Sequence, residues 1–490
     1  MVETYDKMRK TILGLVFLGA LTAGAQNKPN IILIMADDLG WGDTGYNGNP
    51  VIKTPCLDQM AKEGVRFNRF YSACAVCSPT RASVLTGRNP YRTGVFNANV
   101  GILRPEEVTL PELLKEEGYL TGHFGKWHLG SLTSKENDAN RGKPGNTKEF
   151  NPPVLHGYDY AFVTESKVPT WDPMKKPVDR EKEAGWDYLK EGESFVPFGT
   201  YYWDIDGNKV TDNLDGDDSH VIMDRVLSFI EKATTKDAPF FAVVWFHAPH
   251  MPCVAGPKYQ QMYKDQDPSM QNYAGCITAM DEQIGRLRAF LKEKGTDSNT
   301  MIWFCSDNGP ENGNPGSTGG FRERKRSLHE GGIRVPGLLV WPQKITKAFV
   351  TDIPCVTSDY LPTIMNVLKI SKSKTPNQLD GVSLLPLLNG KTKERPQPIG
   401  FCYGNQASWS DNQYKLYARD GAFELYNIVK DPYEKKDIHL GEPSVFKNMQ
   451  SSLLKFVSSC KSSFEGEEYG KVSYDKLSQK WIDPLKPKNK

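Results

Sequence analysis

The chain of 490 residues has almost no excess of charge of either sign: 61 Lys and Arg stand against 59 Asp and Glu, a formal net charge of +2. That balance gives no electrostatic footprint for nucleic acid and excludes a polyelectrolyte binder. Cysteine is scarce, nine in all. The nine positions (Cys56, Cys74, Cys77, Cys253, Cys276, Cys305, Cys355, Cys402, Cys460) are too scattered for a disulfide-built miniprotein. Their odd number invites one thiol to be set apart for chemistry, and spacing leaves the pairing of the others open. There is no internal repeat and, past the first 25 residues, no apolar run near the ~20 residues a membrane-spanning helix needs. What remains is ordinary: 38% hydrophobic, 24% charged and 11% aromatic residues. That describes a folded chain with one large α/β domain and an appendage, or two to three average domains.

The N-terminus reads as a targeting segment. Lys7, Arg9 and Lys10 precede the apolar stretch 11–21, and Ala23-Gly24-Ala25 offers a small-residue cleavage site before Gln26. MRKTILGLVFLGALTAGA is a complete signal from Met8 onward. The expectation is a signal peptide over 1–25, with no lipid-anchor cysteine after it, and a chain that is periplasmic or secreted. A catalytic domain is expected over 26–390 and a C-terminal subdomain over 391–490.

Three segments share one design, an apolar run of strand length ending abruptly in polar residues: 31–36 before Asp37-Asp38, 240–246 before His247-Ala-Pro-His250, and 301–305 before Ser306-Asp307-Asn308. Unbroken apolar runs suit strands buried on both faces, as in a parallel sheet covered by helices. Helical patterns lie between them. Thr109 caps a run ending at Gly118, and Tyr273, Ile277, Met280, Ile284, Leu287 and Leu291 follow helical spacing up to Gly295. The fold class expected is α/β, a large, mixed, mostly parallel sheet flanked by helices. Residues 131–218, rich in Lys, Asp, Gly, Pro and Trp, read as long surface insertions. Beyond Pro396, short strands over 398–403, 414–418 and 423–428 and a helix near 444–458 read as a small α+β subdomain with an antiparallel sheet.

Open α/β sheets gather ligands beyond the carboxyl ends of their strands. Two adjacent carboxylates at an apolar strand end, Asp37 and Asp38, repel each other unless a cation neutralises them. Asp307 and Asn308 at another strand end add oxygen ligands. The set suits Ca²⁺ or Mg²⁺ better than zinc, although either pair alone would more simply cap a loop. In Cys77-Ser-Pro-Thr-Arg81, Pro79 suits a first helical turn. Cys77 would open a helix where backbone N–H groups favour an anion, with Arg81 one turn on along the same face. Lys126 and His128, two apart on an extended segment, would share a side. Lys325 lies in the basic run 322–326, and His250 follows the second strand. A buried thiol, a satisfied surface histidine and a solvated basic face are the plainer readings of these residues. They leave unexplained why cations, a dicarboxylate and a helix-opening cysteine all fall beside glycine-rich loops. Cys74-Ala-Val-Cys77 is formally a C-x-x-C, but its surroundings differ from a thioredoxin-like unit.

These motifs resemble the type I, formylglycine-dependent sulfatases of the alkaline-phosphatase-like superfamily, bacterial exported carbohydrate sulfatases among them. Residues 29–43 (PNIILIMADDLGWGD) are similar to that family's N-terminal metal strand, and 77–81 fit its C-x-P-x-R signature. GKWHLG (125–130), APHMP (248–252), DNG (307–309), Lys325 with Glu330-Gly-Gly, and ELYNIVKD (424–431) follow in the family order. The resemblance implies that a formylglycine-generating maturation enzyme oxidises Cys77 to Cα-formylglycine. It also implies that the hydrated aldehyde is the nucleophile, on one Ca²⁺ held by Asp37, Asp38, Asp307 and Asn308 as well as residue 77. Arg81 would steady the hydrate, and His128 would assist sulfate expulsion. Lys126 and Lys325 would hold sulfate oxygens, and His250 or Lys325 would protonate the leaving oxygen. His247 would take a substrate or supporting role. Glu323-Arg324 before Lys325, and His329, depart from the family pattern and are expected on the substrate rim.

The expected reaction is removal of sulfate from a sulfated saccharide. The insertion aromatics Trp171, Trp186, Tyr201, Tyr202 and Trp203 suit stacking on sugar faces, or equally packing beneath long loops. The alternatives are a phosphonate monoester or phosphodiester hydrolase of the same superfamily and, in a different class, an inactive module that binds sulfated glycans.

Overall fold

The computed structural model describes residues 28–181, 185–469 and 480–486; the signal peptide expected over 1–25 lies outside them. Nine strands form the main sheet: Asn30–Ala36 (β1), Val65–Phe67 (β2), Leu120–Lys126 (β3), Tyr160–Thr164 (β4), Tyr202–Asp204 (β5), Phe240–Trp245 (β6), Thr300–Ser306 (β7), Gly337–Val340 (β8) and Phe349–Thr351 (β9). Their spatial order is β9-β2-β8-β7-β1-β6-β3-β4-β5. The centre, β7-β1-β6-β3-β4, is parallel throughout, whereas β8 and β5 run antiparallel to their inner neighbours.

The three apolar runs become β1, β6 and β7, and β6 and β7 are buried at every residue. Alternate β1 residues feed two cores: Ile31, Leu33 and Met35 face one side, Ile32, Ile34 and Ala36 the other. Cys77–Thr86 (α1) is a helix with every residue buried. Leu110–Glu116 (α2) starts from a capping box in which the Thr109 N–H donates to Glu112 Oε2 at 2.8 Å. Asp218–Thr235 (α3) covers the second core with Val221, Ile222, Val226, Phe229 and Ile230. In Pro268–Glu293 (α4) the expected stripe of Tyr273, Ile277, Met280, Ile284, Leu287 and Leu291 is the buried face.

Two elements differ from the sequence reading. The insertion is not confined to the surface, because β4 and β5 come from within it and extend the main sheet at one edge. Strands that short, set among Pro, Asp and Gly, carry too few residues for a periodic signal. The C-terminal sheet has four strands, Ile399–Tyr403 (β10), Gln406–Ser410 (β11), Tyr414–Arg419 (β12) and Ala422–Asn427 (β13), in sequential antiparallel order. The unexpected β11 is QASWS, too polar to stand out. Pro443–Phe464 (α5) packs on this sheet through Met449, Leu453, Phe456 and Cys460 against Leu416, Ala418 and Leu425. All nine cysteines are free thiols. Among the described residues no helix is long and apolar enough to cross a membrane.

Register places the chemistry. Ala36 pairs with Ser306, Met35 with Trp245, and Gly125 with Trp245. The carboxyl ends of β7, β1, β6 and β3 are therefore neighbours, and the residues just beyond them meet. Backbone bonds tie these ends together: Asp37 N–H to Ala248 O at 3.0 Å and Asp307 N–H to Ala36 O at 3.2 Å.

Behind β3, His156 is buried and its Nε2 lies 3.0 Å from Asn151 Oδ1. Burial pushes this imidazole from 6.5 down to about 3. Between those values only the unfolded chain binds the proton, so this histidine removes stability as pH falls through that window. His156→Gln is expected to flatten the acid loss of stability by up to about 1.4 kcal/mol per pH unit. Denaturant midpoints compared at neutral and mildly acidic pH measure it.

Candidate active site

Asp37, Asp38 and Asp307 converge just past the strand ends, each with 0% exposure. Asp38 has a left-handed backbone, φ 66°, a conformation a non-glycine residue keeps only where its surroundings hold it. Here the Asp38 N–H donates to Asp307 Oδ1 at 3.1 Å, and Asn308 Nδ2 donates to Asp38 Oδ1 at 2.6 Å. Asp37 Oδ1 and Asn308 Oδ1 are buried with no hydrogen-bond partner among the described residues. Ligand atoms of Asp37, Cys77 and Asp307 lie within 4.8 Å of one another, as do those of Asp37, Asp38 and His250. Two orphaned oxygens beside three carboxylates fit a hard divalent cation.

Three cations balance the three carboxylates. Arg81 Nη2 donates to Asp307 Oδ2 at 2.6 Å and lies 3.6 Å from Asp37 Oδ2; its guanidinium sits 5.0 Å from the Trp245 ring centre. Lys126 Nζ donates to Asp37 Oδ2 at 2.6 Å. Lys325 Nζ reaches Asp38 Oδ1 at 2.7 Å and Glu311 Oε2 at 3.5 Å. Burial pushes the Asp37 carboxyl up, but Lys126, His250, Arg81 and Lys325 outweigh it and hold it well below the usual range. Asp307 goes the other way: burial, then repulsion from Asp37, push it up to about 7 despite Arg81. A bound cation would add the attraction that favours the ionised form of Asp307.

Cys77 opens α1 as expected, 2% exposed. Burial raises its thiol against the pull of Lys126 and Lys325, so as a plain thiol it is protonated and a weak nucleophile. Cys74 is no redox partner. It is buried, its Sγ faces the Cys402 carbonyl at 3.5 Å, and burial lifts it to about 12.

His128 reaches the site by a route other than strand alternation. β3 ends at Lys126, and His128 takes a left-handed φ of 58° while its N–H donates to Glu165 O at 3.1 Å. That turn is invisible to a period-two reading. His250 Nε2 lies 3.7 Å from Asp38 Oδ2, and its Nδ1 donates to the Met251 carbonyl at 2.7 Å. His247 is buried between Asp218 (2.8 Å from Nδ1) and Thr164 (2.7 Å from Nε2), in a supporting position. Of the departures from the family pattern, Glu323 pairs with Arg419 at 2.8 Å. Arg324 donates to the Glu311 and Asn314 carbonyls. His329 is buried, 3.0 Å from Glu434 Oε1.

Sequence reasoning missed the frame behind Lys325. Lys415 of β12, buried, lies 2.9 Å from both Glu330 and Glu434, and the Tyr71 hydroxyl donates to Glu330 at 2.9 Å. A Cβ on Gly331 would overlap the Glu323 carbonyl and one on Gly332 the Ser327 carbonyl. The two glycines let the lysine loop fold back on itself.

With this geometry in view, the sulfatase family model matches residues 29–370, and the model of the N-sulphoglucosamine sulphohydrolase C-terminal region matches 318–461. The chain is 32% identical to mouse N-acetylgalactosamine-6-sulfatase over 414 residues, 79% of this chain and 72% of that one. The chain belongs to the sulfatase family. Within the alkaline-phosphatase-like superfamily it is a sulfuric ester hydrolase. It is also 30% identical to rat steryl-sulfatase over 431 residues, 77% of this chain and 73% of that one. The structure of Ps i-CgsB in complex with k-i-k-neocarrahexaose superposes with a TM-score of 0.74 at 26% identity, covering 92% of this chain and all of that one. The phosphonate monoester hydrolase of Agrobacterium radiobacter shares the fold, with a TM-score of 0.63 at 19% identity over 88% of this chain and 96% of that one.

In this sulfatase most of the insertion aromatics pack rather than face solvent. Tyr202 is buried, stacks on Phe162 at 4.0 Å and donates to Asp218 at 2.6 Å. Trp203 is buried in the first core, its Nε1 donating to Asp138 Oδ2 at 2.9 Å. Trp203→Ala is therefore expected to cost about 3–5 kcal/mol of stability, seen as a lower Tm, with no selective rise in KM on saccharides. Trp186 is buried too, packed with Val168, Phe198 and Val254, and it also lines a cavity of about 300 Å³ with Arg180, Asp187, Met251, Tyr273 and Asn314.

Proposed function

We propose that this sulfatase removes sulfate from a sulfated carbohydrate. The observation that carries the sugar reading is the cavity beside the reaction centre. It begins at Met251, directly after His250, is walled by the Trp186 indole and holds charge of both signs. Asn314 is also on its lining. An aromatic face with scattered donors and acceptors suits a sugar ring better than an apolar ring system. The names of the mouse relative and of the neocarrahexaose complex support this, while steryl-sulfatase marks the breadth of the family.

In this reading Asp37, Asp38, Asp307 and Asn308 would hold one Ca²⁺ together with residue 77, matured from Cys77 to formylglycine. When present, the two groups would supply metal-activated hydroxyl chemistry for attack on sulfur. The chain's own residues do the rest. Lys126 and Lys325, each paired with a carboxylate, would grip sulfate oxygens and stabilise the charge that develops. Arg81, locked by Asp307, would steady the group at residue 77. His128 would accept a proton at the reaction centre. The leaving oxygen is protonated from the side of His250 and Lys325, which is also the side of the cavity. Because α1 is buried at every residue, the maturation enzyme acts on CSPTR before folding is complete. Export through residues 1–25, a catalytic unit over 26–390 and a C-terminal subdomain over 391–490 complete the proposal.

The cavity provides the test. Trp186→Ala is expected to raise KM on a sulfated disaccharide about tenfold, roughly 1.4 kcal/mol, and to leave KM on a small aryl sulfate unchanged. Equal effects on both substrates would contradict the sugar assignment.

A further inference from the structure

His128 meets one residue that no motif contains. Its Nε2 lies 3.0 Å from the side-chain oxygen of Asn99. The same oxygen accepts from Asn140 Nδ2 at 3.2 Å, and that amide also donates to Ser166 Oγ at 2.9 Å. An Asn99 oxygen already accepting from Asn140 faces the ring as an acceptor, so the ring nitrogen opposite it is a donor. The other ring nitrogen, Nδ1, is buried and has no hydrogen-bond partner among the described residues. The charged groups acting on the ring are Lys126, Arg141, Arg81 and Asp37; after burial itself, the three cations hold the imidazole well below its usual range, so it is neutral. Lys126, Arg81 and Asp37 belong to the reaction centre, so the ring lies within reach of that centre's charges.

We infer that Asn99 is a positioning residue for His128: it holds the neutral ring in the tautomer with hydrogen on Nε2 and leaves the Nδ1 lone pair free to take a proton from the reaction centre. A neutral histidine in the opposite tautomer would present an N–H there and could accept nothing. The inference rests on the proposed role of His128 as proton acceptor. Asn99 is exposed and has a left-handed φ of 60°, so Asn99→Gly removes the acceptor without straining the backbone, and Asn99→Asp keeps an acceptor in place.

The experiment is ¹⁵N NMR of the full chain labelled only at its eight histidines, with the His128 signals assigned by difference from His128→Gln, alongside kcat and KM for sulfate release. Wild type is expected to show protonated Nε2 and bare Nδ1 at His128. Asn99→Gly is expected to lose that fixed pattern and at least about tenfold in kcat, with KM little changed. Asn99→Asp is expected to restore both the pattern and most of kcat. Hydrogen on Nδ1 in the wild type, or wild-type kcat in Asn99→Gly, overturns the inference. Should no sulfate ester turn over at all, the sulfatase mechanism falls, while the spectra still decide the tautomer on their own.

Discussion

Cys77→Ala is expected to abolish sulfate release, by a factor on the order of 10⁵ or more, while substrate still binds. The loss is this large because no neighbour can replace the group. Arg81, Lys126 and Lys325 are all engaged with carboxylates within 3 Å or so, so none is free to act as a nucleophile. Cys77→Ser is expected to be as inactive, because the maturation proposed here begins from a thiol. Retained binding is checked by competition, with the variant protein sequestering substrate from the wild-type enzyme. The peptide containing residue 77 is checked by mass for formylglycine in the wild type. Undiminished turnover in Cys77→Ala would end the formylglycine mechanism.

The second large effect is that of the cation. Chelation is expected to remove activity, and adding Ca²⁺ at about 100 times its Kd to stabilise the metal-free protein by about 2.7 kcal/mol, read as a rise in Tm. Asp37→Asn is expected to remove both the rise and the turnover. Its carboxylate sits among Lys126, Arg81 and His250 with one oxygen unpartnered. A neutral amide at that position would leave Lys126 facing no charge and the cation short of a ligand. A Tm indifferent to Ca²⁺ and to chelator would contradict the metal assignment independently of any activity.

Much of this site was legible before any coordinates because its parts sit where local rules are strong. Strands β1, β6 and β7 are buried on both faces and so leave unbroken apolar runs, and the polar residues ending them are the ones that meet in the site. The helix opened by Cys77 carries Pro79 in its first turn. Thr109 and Glu112 form a capping box that a sequence announces by spacing alone. What escaped depends on long-range closure. The order of strands that makes Asp37 and Asp307 neighbours is a tertiary fact, as is the pairing of β4 and β5 at the sheet edge. The left-handed turn at His128 hangs on a bond to Glu165, and the Asn99 contact joins residues 29 apart through an exposed loop. Lys415, which braces the lysine loop from the C-terminal sheet, looks in sequence like one more surface lysine. The aromatics of the insertion were ambiguous for a related reason. An indole buried against Asp138 and one lining a cavity leave the same composition, and only packing separates Trp203 from Trp186.

The central claim, sulfate ester hydrolysis on a sugar, is tested most directly by anion release from a panel of substrates. Matured, Ca²⁺-loaded protein is offered sulfated mono- and disaccharides beside a small aryl sulfate, a phosphodiester and a phosphonate monoester. The account predicts preferential release of sulfate from one class of sulfated saccharide, which would also identify the sugar and the position of its ester. Preferential turnover of the phosphodiester or the phosphonate, or no saccharide turnover by protein whose residue 77 is shown by mass to be formylglycine, would contradict it.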